Sequence, residues 1–256
     1  MIISGILGHP LKKPRSIKIW KKYFKRKKIT SKMLKFDILP QNLKKFLTNI
    51  KKDKNFKAMA VTMPYKKSVL SYLDELDQFA KTTGAVNLII KKKNKLFGYN
   101  TDVYGAYVSI KKFLRHYNNI IIIGMGGTGQ AIFNFLVEKF KKKNFYLISS
   151  KFKTNRNKTN IKIFKKLPET IIDKKVLIIN CTPLGSDLKK KFKNKTPIKK
   201  NFLKKMKRKS LIFDIIYSPK LTNLSKECKK RKIKYLNGIK MNTLQAVRAL
   251  NLAFGN

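Results

Sequence analysis

Negative charge is scarce in this sequence. Twelve Asp and Glu stand against 62 Lys and Arg in 256 residues, for a formal net charge of +50. Cysteine and histidine are scarcer still, at two each. Cys181 and Cys228 build neither a disulfide framework nor, by themselves, a zinc site, so a reduced, cytoplasmic setting is expected. His9 and His116 have no nucleophile or second metal ligand placed beside them by sequence, so loop and helix-surface roles are expected and no metal. Long apolar runs are missing too: no window approaches the roughly 18 to 20 residues of a membrane span. The N-terminal MIISGILGHPLKK lacks a basic leader and is interrupted by Gly, His and Pro, so it reads as a first strand, not a signal peptide.

Arginine is scarce within the excess of positive charge, with seven Arg against 55 Lys. Surfaces that grip phosphates or stack on bases favour the planar guanidinium, and here lysines are spread along the whole chain. A solvated surface explains them better than a nucleic-acid-binding role, which is the competing reading of the charge. Hydrophobic residues make up 43% and aromatics 11%, enough for a folded core.

The apolar pattern predicts an α/β chain. Strands are expected at 2–7, 34–39, 58–62, 86–91 and 95–99, with helices at 16–28, 42–50 and 65–73. A helix at 103–117 leads to four consecutive isoleucines, 120–123, the mark of a strand buried on both faces. A helix at 130–140 and strands at 145–149, 176–180, 211–215 and 234–236 follow, then an apolar helix at 241–254. The stretch 187–209, with twelve Lys or Arg, reads as a surface loop and helix because Ile198, Phe202, Leu203 and Met206 keep helical spacing.

Two constellations carry chemistry. IIIIGMGGTGQA puts Gly124, Gly126, Gly127 and Gly129 between a strand and a helix, where backbone N–H groups and the helix dipole suit a pyrophosphate. The next strand ends in Ser149, Ser150 and Lys151 with no carboxylate for a ribose 2′-hydroxyl, which favours NADP over NAD. Earlier, VTMPYKKS, GAVN and GYNTD each place polar residues at a strand end. Lys66 and Asp102 could meet there and deliver a proton to an oxygen that gains charge.

Eight ordered motifs span essentially the full length: 8–16, VTMPYK (61–66), LDELDQFAKTTGAVN (73–87), GYNTD (98–102), GMGGTGQA (124–131), NCTPLG (180–185), DIIYSPKLT (214–222) and GIKMNTLQA (238–246). Together they resemble the shikimate 5-dehydrogenase family. The resemblance implies NADPH-dependent reduction of 3-dehydroshikimate to shikimate on the route to aromatic amino acids. It implies a substrate-binding catalytic domain (1–102), a Rossmann-type NADP-binding domain (103–237, with 103–117 as linker helix) and a C-terminal helix (238–256) returning to the first domain. Lys66 and Asp102 would be catalytic. Ser16 would help hold the substrate carboxylate, Thr62, Asn87 and Gln245 its hydroxyls, and Tyr217 would close the site. The cofactor would lie on Gly124, Gly126, Gly127, Thr128, Gly129 and Gly238, its adenosine end at Ser150 and Lys151. A homodimer is compatible with this reading.

The sequence departs from the family pattern where a first carboxylate-binding serine is replaced by Pro14, with Lys13 beside it as a compensating charge. It departs again where Ser149-Ser150-Lys151 replaces Asn-Arg-Thr. Within the same chemistry, quinate or another hydroxy acid is the alternative substrate. An inactive paralogue is the other reading, and the presence of both Lys66 and Asp102 argues against it.

Overall fold

The computed structural model describes residues 1–12, 14–150 and 159–255. Lys13 and Lys151 lie outside the described residues, so the charge compensation expected of the one and the adenosine contact expected of the other have no structural account. The chain divides into two compact units, one formed by 1–105 with 243–256 and the other by 106–242.

The first unit is built on β1 (Ile2–Gly8), β2 (Ser31–Asp37), β3 (Phe56–Val61), β4 (Glu75–Leu76), β5 (Leu88–Lys92) and β6 (Lys95–Tyr99). They lie in the order β2-β1-β3-β5-β6-β4. β1 runs parallel to β2 and β3, while β5 is antiparallel to both β3 and β6. Helices α1 (Arg15–Lys27), α2 (Leu43–Lys52) and α3 (Gln78–Thr83) cover it, and α4 (Thr101–Leu114) starts just after the C-terminal end of β6. α2 and α3 pack on one face, through Leu43, Leu47 and Ala80 against Met59 and Ile89. The other face buries Trp20 and Phe24 of α1 with Ala58 and Leu88. Ala249, Leu250 and Ala253 of α9 (Ile239–Phe254) complete that layer, so the C-terminal helix returns to the first sheet as expected.

The second unit is a fully parallel sheet of β7 (Asn119–Ile123), β8 (Asn144–Ile148), β9 (Ile161–Phe164), β10 (Val176–Asn180), β11 (Leu211–Asp214) and β12 (Lys234–Leu236). Its order is β12-β11-β10-β7-β8-β9. The strand order reverses between β7 and β10, the position where doubly wound sheets open a ligand crevice at their carboxyl ends. Ile120, Ile121 and Ile122 are all fully buried, as a strand covered on both faces requires. Each such side chain contributes about 1.5–3 kcal/mol by leaving water. Helices α5 (Gly127–Lys139), α6 (Lys190–Lys193), α7 (Lys200–Lys205) and α8 (Asn223–Lys230) complete the unit.

Some sequence expectations are corrected. The helix expected at 65–73 is a series of turns ending in a short 3-10 segment at Leu70–Tyr72. The carbonyl of Lys66, which a helix would need for Leu70, instead accepts from the Val86 amide at 2.7 Å, and Leu70 donates to Lys67. The second strand starts at Ser31, not 34, because β1 offers it a partner for every residue from Ile2 onward. The basic stretch 187–209 holds two short helices, α6 and α7, with Ile198, Leu203 and Met206 buried beneath a lysine-rich outer face. Helices α3 and α8 and strands β4 and β9 went unread because each is too short to show a period of its own.

Candidate active site

In the first unit, the carboxyl ends of β3 and the N-terminus of α4 bring Lys66 and Asp102 together. Lys66 Nζ donates to Asp102 Oδ2 at 2.5 Å, with the side chains 29% and 16% exposed. Asp102 occupies the first turn of α4, where the positive end of the helix dipole favours a carboxylate. The Val86–Lys66 backbone bond described above fixes the lysine's segment against the strand that bears Asn87.

Asn87 is the hub beside this pair. It is nearly buried, its Oδ1 accepts from the Thr101 amide at 2.7 Å, and its Nδ2 donates to Thr101 Oγ1 at 3.0 Å. Gln245 on α9 joins through Oε1, which accepts from Asn87 Nδ2 at 3.4 Å and from Thr101 Oγ1 at 3.3 Å. Lys66, Asp102, Asn87 and Gln245, expected from scattered motifs, thus belong to one neighbourhood. Thr62 follows directly from β3, its amide bonded to the Leu7 carbonyl at 2.8 Å. Ser16 is the second residue of α1, whose N-cap Pro14 makes no side-chain capping bond and whose first turn holds no acid. That helix end therefore keeps its positive dipole uncompensated.

Three residues of this neighbourhood had no role assigned from sequence. Asn100, buried, donates to Thr83 Oγ1 and the Ala85 carbonyl at 3.0 Å each and accepts from the Asp102 amide at 3.2 Å. Thr101 bridges Asn87 and Gln245. Asp77 caps α3 by accepting from Ala80 N at 2.7 Å, and burial raises its carboxyl above the ordinary range. The available signal was a buried polar pair inside GYNTD, at the end of an apolar strand.

In the second unit, the turn after β7 is shaped by glycine. Gly124 has φ +90°, and a Cβ on Gly129 would collide with the Gly124 carbonyl oxygen. Gly126 is the N-cap of α5 without a side-chain cap, and at both Gly126 and Gly127 a Cβ would meet nothing within 4 Å. Open space above uncapped helix N–H groups is a cradle that fits a pyrophosphate. Thr128 lies in that first turn, and Ser150 is exposed just beyond β8. Gly238 has a packing reason as well: any Cβ there would strike the backbone of Ile215.

Beside the turn, the ends of β10 and β11 carry a buried network. Asn180 Nδ2 donates to Asp214 Oδ1 at 2.9 Å, and Tyr235 Oη donates to Asp214 Oδ2 at 2.8 Å. Asn180 Oδ1 accepts from the Thr182 amide at 3.0 Å, while Asp214 Oδ1 also accepts from Ile216 N at 3.1 Å. Burial pushes the Asp214 carboxyl above the ordinary range despite these donors. Tyr217 follows in the next loop, 38% exposed. Burial raises both thiols, that of Cys228 to about 12, which removes them as nucleophiles. His9 pairs with Asp37 at 2.8 Å and His116 with Arg115 at 3.1 Å. Among the described residues no group of three His, Cys, Asp or Glu could hold a metal ion, and no helix is long and apolar enough to cross a membrane.

Comparison with known proteins gives a consistent result. Residues 6–89 match the family model of the shikimate dehydrogenase substrate binding domain. A shikimate dehydrogenase (NADP(+)) of Clostridium beijerinckii is 36% identical over 97% of this chain and 90% of its own. Another, from Clostridium botulinum strain 657, is 32% identical over 98% of this chain and 96% of its own. A crystal structure of a shikimate dehydrogenase in complex with NADP+ superposes with a TM-score of 0.85 at 28% identity, covering 100% of this chain and 90% of that one.

Proposed function

The chain belongs to the shikimate dehydrogenase family, and from that premise we propose that Lys66 and Asp102 are its catalytic pair. Its activity is the NADP-dependent interconversion of 3-dehydroshikimate and shikimate, in aromatic amino acid biosynthesis. The observation that carries the residue assignment is the 2.5 Å contact of Lys66 Nζ with Asp102 Oδ2, beside the Asn87–Thr101–Gln245 cluster.

We assign the substrate to the first unit and the dinucleotide to the second. NADPH supplies a hydride to the carbonyl carbon when bound. As that carbon is reduced, charge builds on the carbonyl oxygen. The Lys66 ammonium stabilises that charge and transfers a proton to the oxygen, leaving a neutral amine that regains its proton from solvent. In the reverse direction the neutral amine takes the hydroxyl proton. Asp102 orients the ammonium and holds it on the substrate side of the rim. Thr62, Asn87 and Gln245 bind the substrate hydroxyls, and the uncapped start of α1 with Ser16 receives the carboxylate. The assignment of Tyr217 to the substrate rests on its motif.

The cofactor's pyrophosphate is assigned to the backbone of Gly124, Gly126, Gly127, Thr128 and Gly129, where the space above Gly126 and Gly127 is open. Ser150 and Gly238 are assigned to the same ligand, and Lys151 to its 2′-phosphate. We place the chain in the cytoplasm, where its two free cysteines stay reduced. The test is spectrophotometric: reduction of NADP and of NAD with shikimate and then with quinate, for the wild type and Lys66→Ala. NADP with shikimate should be the fastest pair. Quinate turnover equal to that of shikimate would sink the substrate assignment, and wild-type turnover in Lys66→Ala would sink the role of the lysine.

A further inference from the structure

The second sheet is parallel throughout, so the N-terminal ends of its strands converge on the edge opposite the glycine turn. Asn119 starts β7 beside Val176 of β10, and Leu211 starts β11 beside Lys234 of β12. The segments entering these strands line a concavity of about 460 Å³. Lys112, Arg115, Lys175, Arg208, Lys209 and Lys234 bring six basic side chains to it, and among the described residues no carboxylate lines it. An adjoining concavity of about 400 Å³ shares Lys112 and Arg115 and adds Lys111 and Lys240.

In a chain of +50, clustered lysines need a stronger argument than their number. Two of the seven arginines stand here. The floor is fixed: Tyr117 Oη donates to the Lys209 carbonyl at 3.2 Å, and the Val176 amide donates to the buried Ser210 Oγ at 3.2 Å. Like charges held in a recess focus the field far more than the same charges on a convex face. The Phe113 and Tyr117 rings in the recess are already covered, and the His116 ring is held by Arg115, whose Nε donates to its Nε2 at 3.1 Å. Lys234 Nζ lies 4.6 Å and Lys112 Nζ 5.2 Å from the Phe113 centroid, and Lys175 Nζ 5.3 Å from that of Tyr117. Capped rings offer no platform for nucleobases, so the recess suits phosphoryl groups and not single-stranded nucleic acid.

We propose that this recess binds a compact polyphosphate anion, two or more linked phosphoryl groups, at the edge of the sheet opposite the dinucleotide turn. An anion there relieves the repulsion among the six cations, so binding stabilises the folded chain by linkage.

The experiment uses the full chain saturated with NADP+, so that the glycine turn is occupied, and inorganic tripolyphosphate as probe, titrated by calorimetry and thermal unfolding at constant ionic strength set with NaCl. Saturable binding with a rise in Tm is expected. Arg115→Ser/Arg208→Ser should weaken it at least tenfold, whereas Lys44→Ser/Lys45→Ser on the exposed face of α2 removes the same charge and should change it less than twofold. Both double variants should oxidise shikimate at the wild-type rate. Should circular dichroism show the arginine variant to be unfolded, Lys112→Ser/Lys234→Ser takes its place. Absence of saturable binding, or equal weakening in the α2 control, overturns the proposal. Tighter binding of a single-stranded oligonucleotide through the same arginines also overturns it, in favour of nucleic acid.

Discussion

The two units prepare their sites by different means. The first works with side chains, where an ammonium is hydrogen-bonded to a carboxylate and, beside that pair, amide and hydroxyl groups are hydrogen-bonded to one another. The second works with backbone, where glycines leave open the space above a helix N-terminus. A side-chain site loses function by losing a group. A backbone site loses it by gaining one, and beside it lies the buried Asn180–Asp214–Tyr235 network.

Substitution at Lys66 should show the contrast most strongly. Lys66→Ala should lower kcat by about 10² to 10⁴-fold, the usual contribution of general acid catalysis, with little change in the KM for NADPH. Steady-state kinetics with each substrate varied would check this, and a defect confined to KM would break the division of labour.

Asp214→Asn tests the buried support. A carboxylate that accepts from Asn180, Tyr235 and Ile216 becomes a group with a donor facing the Tyr235 hydroxyl, which should cost about 1–3 kcal/mol in unfolding free energy. Burial raises the folded-state carboxyl of Asp214, so the native protein holds its proton longer than the unfolded chain. That contribution to stability is therefore complete below the unfolded value of 3.8 and is lost as pH rises through the raised folded value. Denaturant titrations from pH 4 to 8 should show the wild type's advantage over Asp214→Asn shrinking as pH rises.

Gly126→Ala sharpens the backbone side of the comparison. Its φ of −72° suits any residue and its Cβ meets no protein atom within 4 Å, so Tm should stay at the wild-type value. The methyl group enters the cradle, and the KM for NADPH should rise about tenfold, equivalent to ~1.4 kcal/mol. A fall in Tm with unchanged KM would make this glycine structural.

The smallest effect is expected at Asp74 in the first unit, and its pH dependence has the opposite sign to that of Asp214. Lys51 at 2.5 Å and the Leu96 amide at 2.7 Å hold its carboxyl below the ordinary value of 3.8. Its contribution is present above 3.8 and lost as pH falls through the lowered value. Asp74→Asn should cost less than about 1 kcal/mol at neutral pH, as suits a partly exposed pair, and nothing in strong acid.

Legibility in the sequence followed the same division. The glycine turn was readable because strand, glycines and helix are contiguous, and the four isoleucines marked a strand covered on both faces. Lys66 and Asp102 were readable as a possible pair at strand ends, but family motifs were needed to choose Lys66 from 55 lysines. The helix expected at 65–73 failed because a distant amide, that of Val86, takes the Lys66 carbonyl. Asn100, Thr101 and Asp214 were visible as polar residues beside apolar strands, yet their partners come from elements far away in the chain.

The sequence by itself determined the α/β alternation, the turn for a dinucleotide and the residue types available for proton transfer, because each depends on local spacing or on a side chain's own chemistry. The tertiary structure decided which of those groups share a hydrogen bond and that α9 carries Gln245 to Asn87. It also decided that lysines and arginines from four separate segments meet in one recess at the entry to the second sheet. Those outcomes depend on strand order and register, which bring residues far apart in the chain to neighbouring positions.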